Sequence, residues 1–368
     1  MQTRHEVHVA DARDLRSDGI DLVVTSPPYP MVEMWDESFR AQDPEIGRAL
    51  DAGEGDRAFR LMHDLLDAVW ARLADVVREG GVVAVNVGDA TRNVDEFQQY
   101  PNAAEITRRM RAHGFGTLPD LLWRKPANSA AKFMGSGMLP TNAYPTLEHE
   151  QILLFRKGGP RSFPPSDETR YESAYFWAER NEWFSDLWEI RGERQALPGE
   201  GRDRSGAFPF EVPYRLVSMF SVYGDTVLDP FWGTGTTTLA ALVAGRNSVG
   251  YERDPDLVGA FADAATETPS LSREVVQERL AAQRAFSADN ETRYEADHYD
   301  FGVKTKMERA IRLYEVQEIA RDDEPGRSKD RRPTAEDRSE ARESSRRGLP
   351  SWLHQMWQLI SRHLNRTA

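Results

Sequence analysis

The 368-residue chain has no cysteine. That excludes disulfides, thiolate catalysis and cysteine-ligated zinc. Lysine is nearly missing too, with 6 of the 47 basic residues, the other 41 being arginine. No run of about eighteen apolar residues exists, so no membrane span and no membrane partner are expected. The first residues, MQTRHEVHVADARD, are charged and lack the apolar stretch of a secretion signal, which points to the cytoplasm. Positive charge is short overall. Sixty acidic residues leave a net charge of −13, an awkward balance for a nucleic-acid binder unless cations gather locally. Abundant acid with scarce lysine matches proteins of salt-loving organisms. A GC-rich genome also favours arginine over lysine, so both origins stay open.

What is present is an alternation of strands and helices over residues 5–265. Val7–Ala10, Leu22–Val24, Val82–Val87, Leu121–Trp123, Gln151–Phe155 and Thr226–Leu228 read as strands. Residues 57–78 carry Phe59, Leu61, Met62, Leu65, Leu66, Val69, Trp70 and Leu73 at helical spacing, and Gly80-Gly81 should break that helix. Further helices are expected over 102–112 and 211–221. Such alternation predicts an α/β fold, a mostly parallel doubly wound sheet with helices on both faces. Two stretches, 126–146 and 158–208, show little periodicity and read as long loops, which are usually functional or disordered. Beyond residue 265, segments 272–286 and 303–320 look helical, giving a helical extension over 266–321. Residues 322–349 are nearly all polar and read as a disordered linker. In 350–368, Trp352, Leu353, Met356, Trp357, Ile360 and Leu364 share one helical face, which suits docking on the core or on a second protomer.

"VLDPFWGTGTTTLAA", residues 227–241, reads as strand, turn and helix start. Gly233 and Gly235 let the backbone turn tightly and approach a ligand. Thr236, Thr237 and Thr238 can cap the helix. No lysine follows, so a nucleoside-triphosphate loop is excluded. Thr238 stands where a dinucleotide turn needs a third glycine. S-adenosylmethionine fits better: it is cationic at sulfur and carries no phosphate. Asp229 opens the turn near the cationic end, with Pro230 and Phe231 behind it. Glu252, seventeen residues past Gly235 in "NSVGYERDP", would bind ribose hydroxyls. A purely structural strand–helix turn is the plainer reading of the same residues.

The second unusual stretch is "DLVVTSPPYP", residues 21–30, where an apolar strand leaves into three prolines and an aromatic. TSPPY followed by DPFWGTGTTT resembles the amino-methyltransferases of DNA, in the order of their β group. "VADARDL", "GGVVAVNVGD", "LLWRKP", "HEQILLFRKG", "DLWEI" and "PFEVPYRLVSMFS" extend the resemblance over residues 7 to about 260. It implies a circularly permuted S-adenosylmethionine-dependent fold, with a catalytic domain over 1–265 and target-recognition loops within about 115–208. The strand before Asp229 should lie beside the strand before Ser26, about 200 residues away, with both motifs at the strands' carboxyl ends. By resemblance, Asp11 takes the adenine amino group, and Phe208 and Pro209 close over the methionine end.

The chemistry of Ser26, Pro27, Pro28 and Tyr29 follows from the substrate. The lone pair of an exocyclic amine is delocalised into its ring. Ser26 Oγ and the Pro27 carbonyl can accept its hydrogens and localise that pair, and the prolines hold these acceptors rigid. Tyr29 offers a face on which an extruded base can stack. Carbon-5 methylation of cytosine needs a cysteine, so that route is closed. Ser at the first motif position leans toward cytosine N4; Asp there leans toward adenine N6. The continuation "PPYPMVEMWD" resembles archaeal modification enzymes of CTAG, with Glu33, Met34, Trp35 and Asp36 placed to shape the pocket. His149 is readable as a base or as a structural residue of its strand. No metal is implied.

Double-stranded DNA is the partner this implies, with a cognate restriction endonuclease as a further one. Arg124, Lys125, Lys132 and Asn142 on one loop, and Arg194, Arg202 and Arg204 on another, are candidates for phosphate and base-edge contacts. Solvated loops are the bland alternative. A non-catalytic DNA-binding module of the same fold is the rival from another class.

Overall fold

A computed structural model describes residues 1–125, 141, 144–192, 195–196, 203–204 and 208–321. Among the described residues nine strands form the main sheet: β1 (His5–Val9), β2 (Ile20–Thr25), β3 (Val77–Val87), β4 (Phe115–Thr117), β5 (Leu121–Arg124), β6 (His149–Lys157), β7 (Leu187–Glu189), β8 (Thr226–Asp229) and β9 (Asn247–Glu252). Their order is β1-β9-β8-β2-β3-β6-β5-β7, with β4 also on β6. From β1 to β3 every pairing is parallel; β6 is antiparallel to β3, β4 and β5. The strand before Asp229 does lie beside the strand before Ser26, with Val227 opposite Leu22 and Leu228 opposite Val23.

All six residues of β2 are buried, as a parallel strand covered on both faces requires. Ile20 and Val23 pack with the helices of one face; Leu22 and Val24 pack with those of the other. The first face is covered by α1 (Asp36–Gln42), α2 (Pro44–Asp51), α3 (Gly55–Val76) and α4 (Asn102–Ala112). In α3 the buried stripe Ala58, Met62, Leu66, Val69, Trp70 and Leu73 keeps helical spacing. The second face takes α7 (Glu211–Phe220), α8 (Thr236–Val243) and α10 (Thr268–Asp289); α9 (Pro255–Ala264) precedes α10.

Three expectations need correction. Gly80-Gly81 does not break α3, which ends at Val76 and passes directly into β3. The glycines lie in a bulge: β2 advances from Ile20 to Leu22 while β3 advances from Val77 to Val82. Gly80 holds φ +80°, and a Cβ there would sit 2.9 Å from the Arg161 backbone. Residues 303–320 are not helical. They form a short ladder strand, a 3-10 turn and an extended run whose backbone bonds elsewhere: Arg312 N to Glu172 O at 3.1 Å and Val316 N to Ser272 Oγ at 3.0 Å. These tertiary partners replace the helix's own ladder. The stretch 158–208 holds α5 (Glu168–Glu172), α6 (Trp177–Trp183) and β7, pinned by buried Phe176, Trp183 and Trp188. The expected linker and terminal helix, 322–368, lie outside the described residues. Among the described residues no helix is long and apolar enough to cross a membrane.

Candidate active site

Parallel order brings the carboxyl ends of β1, β9, β8, β2 and β3 to one edge of the sheet. Between β8 and β2 the chain departs in opposite directions, which opens the crevice where doubly wound folds bind ligands. A hydrogen bond across that crevice ties the two motifs together. Thr25 Oγ1, at the end of β2, donates to Asp229 Oδ1 at 2.6 Å.

Asp229 is buried and also accepts the Phe231 amide at 3.1 Å. Burial pushes its pKa up to about 6, against the pull of the Thr25 and Phe231 donors. The turn after it is shaped by Trp232. Its backbone N–H bonds Tyr251 O at 3.1 Å, and its indole donates to Thr238 Oγ1 at 2.8 Å. Gly235 holds φ +80°, where a Cβ would fall 2.5 Å from Phe261 and 2.6 Å from Trp232. Gly233, at φ +58°, has only Phe231 O, 3.8 Å away, near the place of a Cβ. The left-handed φ accounts for glycine here, and without a side chain the turn stays open at this point. Pro230 is buried, and the Phe231 ring packs edge-on against Trp70, 6.0 Å away.

The threonines do not cap α8. Its cap is Gly235, without a side-chain bond. Thr237 instead donates to Val24 O at 3.2 Å, and Thr238 takes the Trp232 indole. Thr236 is half-buried with its hydroxyl 3.4 Å from that of Thr234. The reason is direction: Thr237 and Thr238 turn toward the sheet and the Trp232 ring, while amides of the turn bond within the protein, Gly233 N to Glu252 and Gly235 N to Trp232 O at 2.9 Å.

Glu252 ends β9. One carboxylate oxygen accepts Gly233 N at 2.8 Å; the other accepts Arg253 N and Asp254 N at 2.8 and 2.9 Å. Asp11 follows β1 next door, where Ala10 N bonds Glu252 O at 2.9 Å. Arg13 grips its carboxylate through Nε and Nη2 at 2.9 and 2.8 Å, and that pair holds its pKa low. Any adenine amine at Asp11 therefore shares it with Arg13. Phe208 and Pro209 are buried directly before α7, Phe208 within the core of that face.

The Ser26 loop leaves β2 beside this turn. Ser26 is half-buried and its Oγ lies 3.0 Å from Tyr29 Oη. Pro27 is buried and Pro28 partly exposed. Contrary to expectation, Tyr29 is not an open stacking face: it is 8% exposed. Its hydroxyl donates to Glu150 Oε2 at 3.0 Å and accepts from Asn86 Nδ2 at 2.8 Å. Burial, then the Glu150 charge, push the phenol pKa well above its usual range. The loop closes on Met31, a buried non-glycine residue at φ +65°. Left-handed backbone costs such a residue about 1–2 kcal/mol, and strain of this kind gathers at functional sites.

Asn86 and Glu150 escaped the sequence reading. A polar residue inside the apolar run VVAVNV was the available signal for the first. The second hid beside His149, which is exposed on β6. Of the expected DNA contacts, Arg124 is exposed at the end of β5 and pairs with Glu189 at 3.0 Å and Glu148 at 3.4 Å. Lys125 turns inward, pairs with Glu150 and lies 4.3 Å over the Trp123 ring. Lys132, Asn142, Arg194 and Arg202 lie outside the described residues, as does the side chain of Arg204, whose backbone pairs with Gln195. Beyond Tyr29, Glu33 is exposed, whereas Asp36 is locked to Arg92 at 2.6 and 2.8 Å. No cluster of metal-ligating side chains occurs among the described residues.

Residues 20–263 match the N6/N4 DNA methylase family. The chain belongs to that family. Two curated methyltransferases support the assignment along most of its length. The type II methyltransferase M.MthZI of Methanothermobacter thermautotrophicus is 47% identical over 323 residues, 85% of this chain and 91% of its own. M.MjaI of Methanocaldococcus jannaschii is 47% identical over 272 residues, 70% and 89% of the two chains. Among solved structures, the putative DNA modification methylase TTHA0409 of Thermus thermophilus, complexed with S-adenosyl-L-methionine, is 31% identical with a TM-score of 0.56. The alignment covers 72% of this DNA methyltransferase and 96% of that chain. The cytosine-N4-specific PvuII DNA methyltransferase, 19% identical with a TM-score of 0.50 over 71% of this chain and 86% of its own, shares the fold.

Proposed function

We propose that this DNA methyltransferase uses S-adenosylmethionine to methylate the exocyclic N4 of cytosine within a short duplex site. The observation that carries the reading is the Thr25–Asp229 bond, which sets the Ser26 loop directly beside an acidic glycine turn. The residues of that turn fit the cofactor. Asp229 and Glu252 offer carboxylates to a cation and to ribose hydroxyls, and Gly233 puts no side chain in the way. No lysine or arginine stands between 229 and 238 to suit a phosphate. When bound, the cofactor supplies an electrophilic methyl group.

The chain's part is to place the amine. Ser26 Oγ and the Pro27 carbonyl accept its hydrogens, so the lone pair points into the crevice. The proline-fixed loop makes this arrangement permanent rather than recruited. Because Tyr29 is buried, an extruded base meets the edge of its ring or requires the loop to shift. Adenine N6 methylation is the second reading, since the same acceptors suit its amine; Ser26 at the head of the motif favours cytosine. Protection against a cognate restriction endonuclease is the biological role we assign, and CTAG is the first target to try on the strength of PPYPMVEMWD.

The test is expression in a host without DNA methylation, followed by nucleoside mass spectrometry. N4-methylcytosine is expected. N6-methyladenine moves the assignment to the second reading. If neither base appears while the purified protein still binds the cofactor, the proposal fails.

A further inference from the structure

Glu150 lies outside both motifs, yet it terminates a connected set of hydrogen bonds that begins at Ser26. Its Oε1 pairs with the Lys125 ammonium. Its Oε2 accepts from Tyr29 Oη at 3.0 Å and from Asn86 Nδ2 at 2.6 Å. Asn86 Nδ2 uses its other hydrogen on Tyr29 Oη, 2.8 Å away. The reverse amide orientation is excluded, because it would set Asn86 Oδ1 2.6 Å from a carboxylate oxygen.

Counting protons then fixes the remaining bond. A carboxylate is an acceptor only, so the single Tyr29 proton goes to Glu150. The phenol oxygen receives from Asn86, and what it has left for Ser26 is a lone pair. The Ser26 proton must therefore point at Tyr29, across 3.0 Å. Both lone pairs of Ser26 Oγ are thereby left to accept. An isolated Ser–Tyr pair would have no such preference, since either hydroxyl can donate. A serine donating to the amine nitrogen would quench the nucleophile.

We infer that Glu150, braced by Lys125 and Asn86, is a positioning residue that sets the hydrogen-bond direction of the Ser26–Tyr29 pair and makes Ser26 an obligate acceptor toward the target amine. The inference rests on the proposed role of Ser26 as amine acceptor. The packing is built for it. Gly88 faces both partners, and a Cβ there would lie 3.3 Å from the Tyr29 ring and 3.4 Å from Glu150 Cγ. Asn86 is 2% exposed and Tyr29 8%. Low dielectric strengthens such a network and makes a wrongly directed bond costly. The raised phenol pKa keeps the Tyr29 proton in place across the working pH range.

The experiment compares Glu150→Gln, Ser26→Ala and the double variant Glu150→Gln/Lys125→Met in the full-length protein at saturating duplex. Glutamine keeps the shape. Beside the Lys125 ammonium, however, it presents its amide donors to Tyr29 and Asn86, reversing the direction. We expect kcat to fall about a hundredfold, as for a mis-set reacting group, with KM for DNA, cofactor affinity and Tm nearly unchanged. Removing the ammonium lets the glutamine turn its oxygen back to Tyr29, so the double variant regains kcat over Glu150→Gln. A merely structural Glu150 would instead lower Tm or cofactor affinity, and the second substitution would not help. Full kcat in Glu150→Gln, with Ser26→Ala crippled, overturns this inference alone. Full kcat in Ser26→Ala overturns the reading beneath it.

Discussion

Replacing Asp229 by asparagine should stabilise the cofactor-free protein while crippling it. In the fold Asp229 titrates near 6 instead of its ordinary 3.8, because ionising it there means charging a buried group. A carboxyl whose folded pKa is raised costs nothing below 3.8. Its cost grows as pH rises, and is complete above about 6. The shift of about two units corresponds to about 3 kcal/mol at pH 7.5 and about 1.6 kcal/mol at pH 5, at 1.36 kcal/mol per unit. Asparagine carries no such penalty at any pH. Its oxygen can still accept from Thr25 and from the Phe231 amide, which now bond Asp229 Oδ1. Urea unfolding of parent and variant at the two pH values measures the difference directly, and effects of other titrating groups cancel. The advantage of Asp229→Asn should be about 3 kcal/mol at pH 7.5 and about half that at pH 5. Titration calorimetry should show its S-adenosylmethionine affinity lowered and flat with pH, whereas the parent's affinity weakens as pH falls through about 6. A variant less stable than the parent at pH 7.5, or an advantage equal at both pH values, refutes the buried-charge argument.

Other perturbations follow from single contacts. Gly235→Ala forces a Cβ to within 2.6 Å of Phe261 and Trp232 at a left-handed φ, so chemical denaturation should show a loss of about 2–4 kcal/mol. Thr25→Val removes the donor from a buried carboxylate, costing about 1–3 kcal/mol at neutral pH, with a smaller loss near pH 4 where that carboxyl is protonated. Arg124→Ala should leave Tm unchanged, since its pairs are half-exposed, while the slope of log K for duplex binding against log salt falls by about one; an unchanged slope removes Arg124 from the interface. His63, buried against Asn102 with its pKa lowered to about 4, should cost stability as pH falls from 6.5 toward 4, a dependence that His63→Gln abolishes in acid titration.

The strands and helices that carry the site were legible because their signals are local. Leu22–Val24 and Val227–Leu228 are short apolar runs closed by turn residues, and α3 wears its stripe openly. The pairing of β8 with β2 was legible only through the two motifs together, since no period in the sequence links residues about 200 apart. What stayed hidden depended on direction. Nothing local tells that Thr237 and Thr238 face the sheet, that Lys125 folds inward, or that Tyr29 is covered. Glu150 and Asn86 meet Tyr29 only because β6 runs antiparallel against β3, with Asn86 opposite Ile152. Residues 303–320 misled because their charged, helix-favouring composition was overridden by tertiary bonds to α5 and Ser272.

The first strand of the chain completes the sheet against one of its last: His5 to Val9 lie opposite Ser248 to Glu252. A ribosome must therefore deliver about 250 residues before the opening segment finds its neighbour. Thr25 likewise waits some 200 residues for Asp229. Contacts this distant slow folding and leave apolar strands unpaired meanwhile. The consequence is that neither the β1–β9 pairing nor the Thr25–Asp229 bond can form until β8 and β9 have been made. Rejoining the termini so that β8 and β9 are synthesised first should shorten that wait without changing any residue of the site.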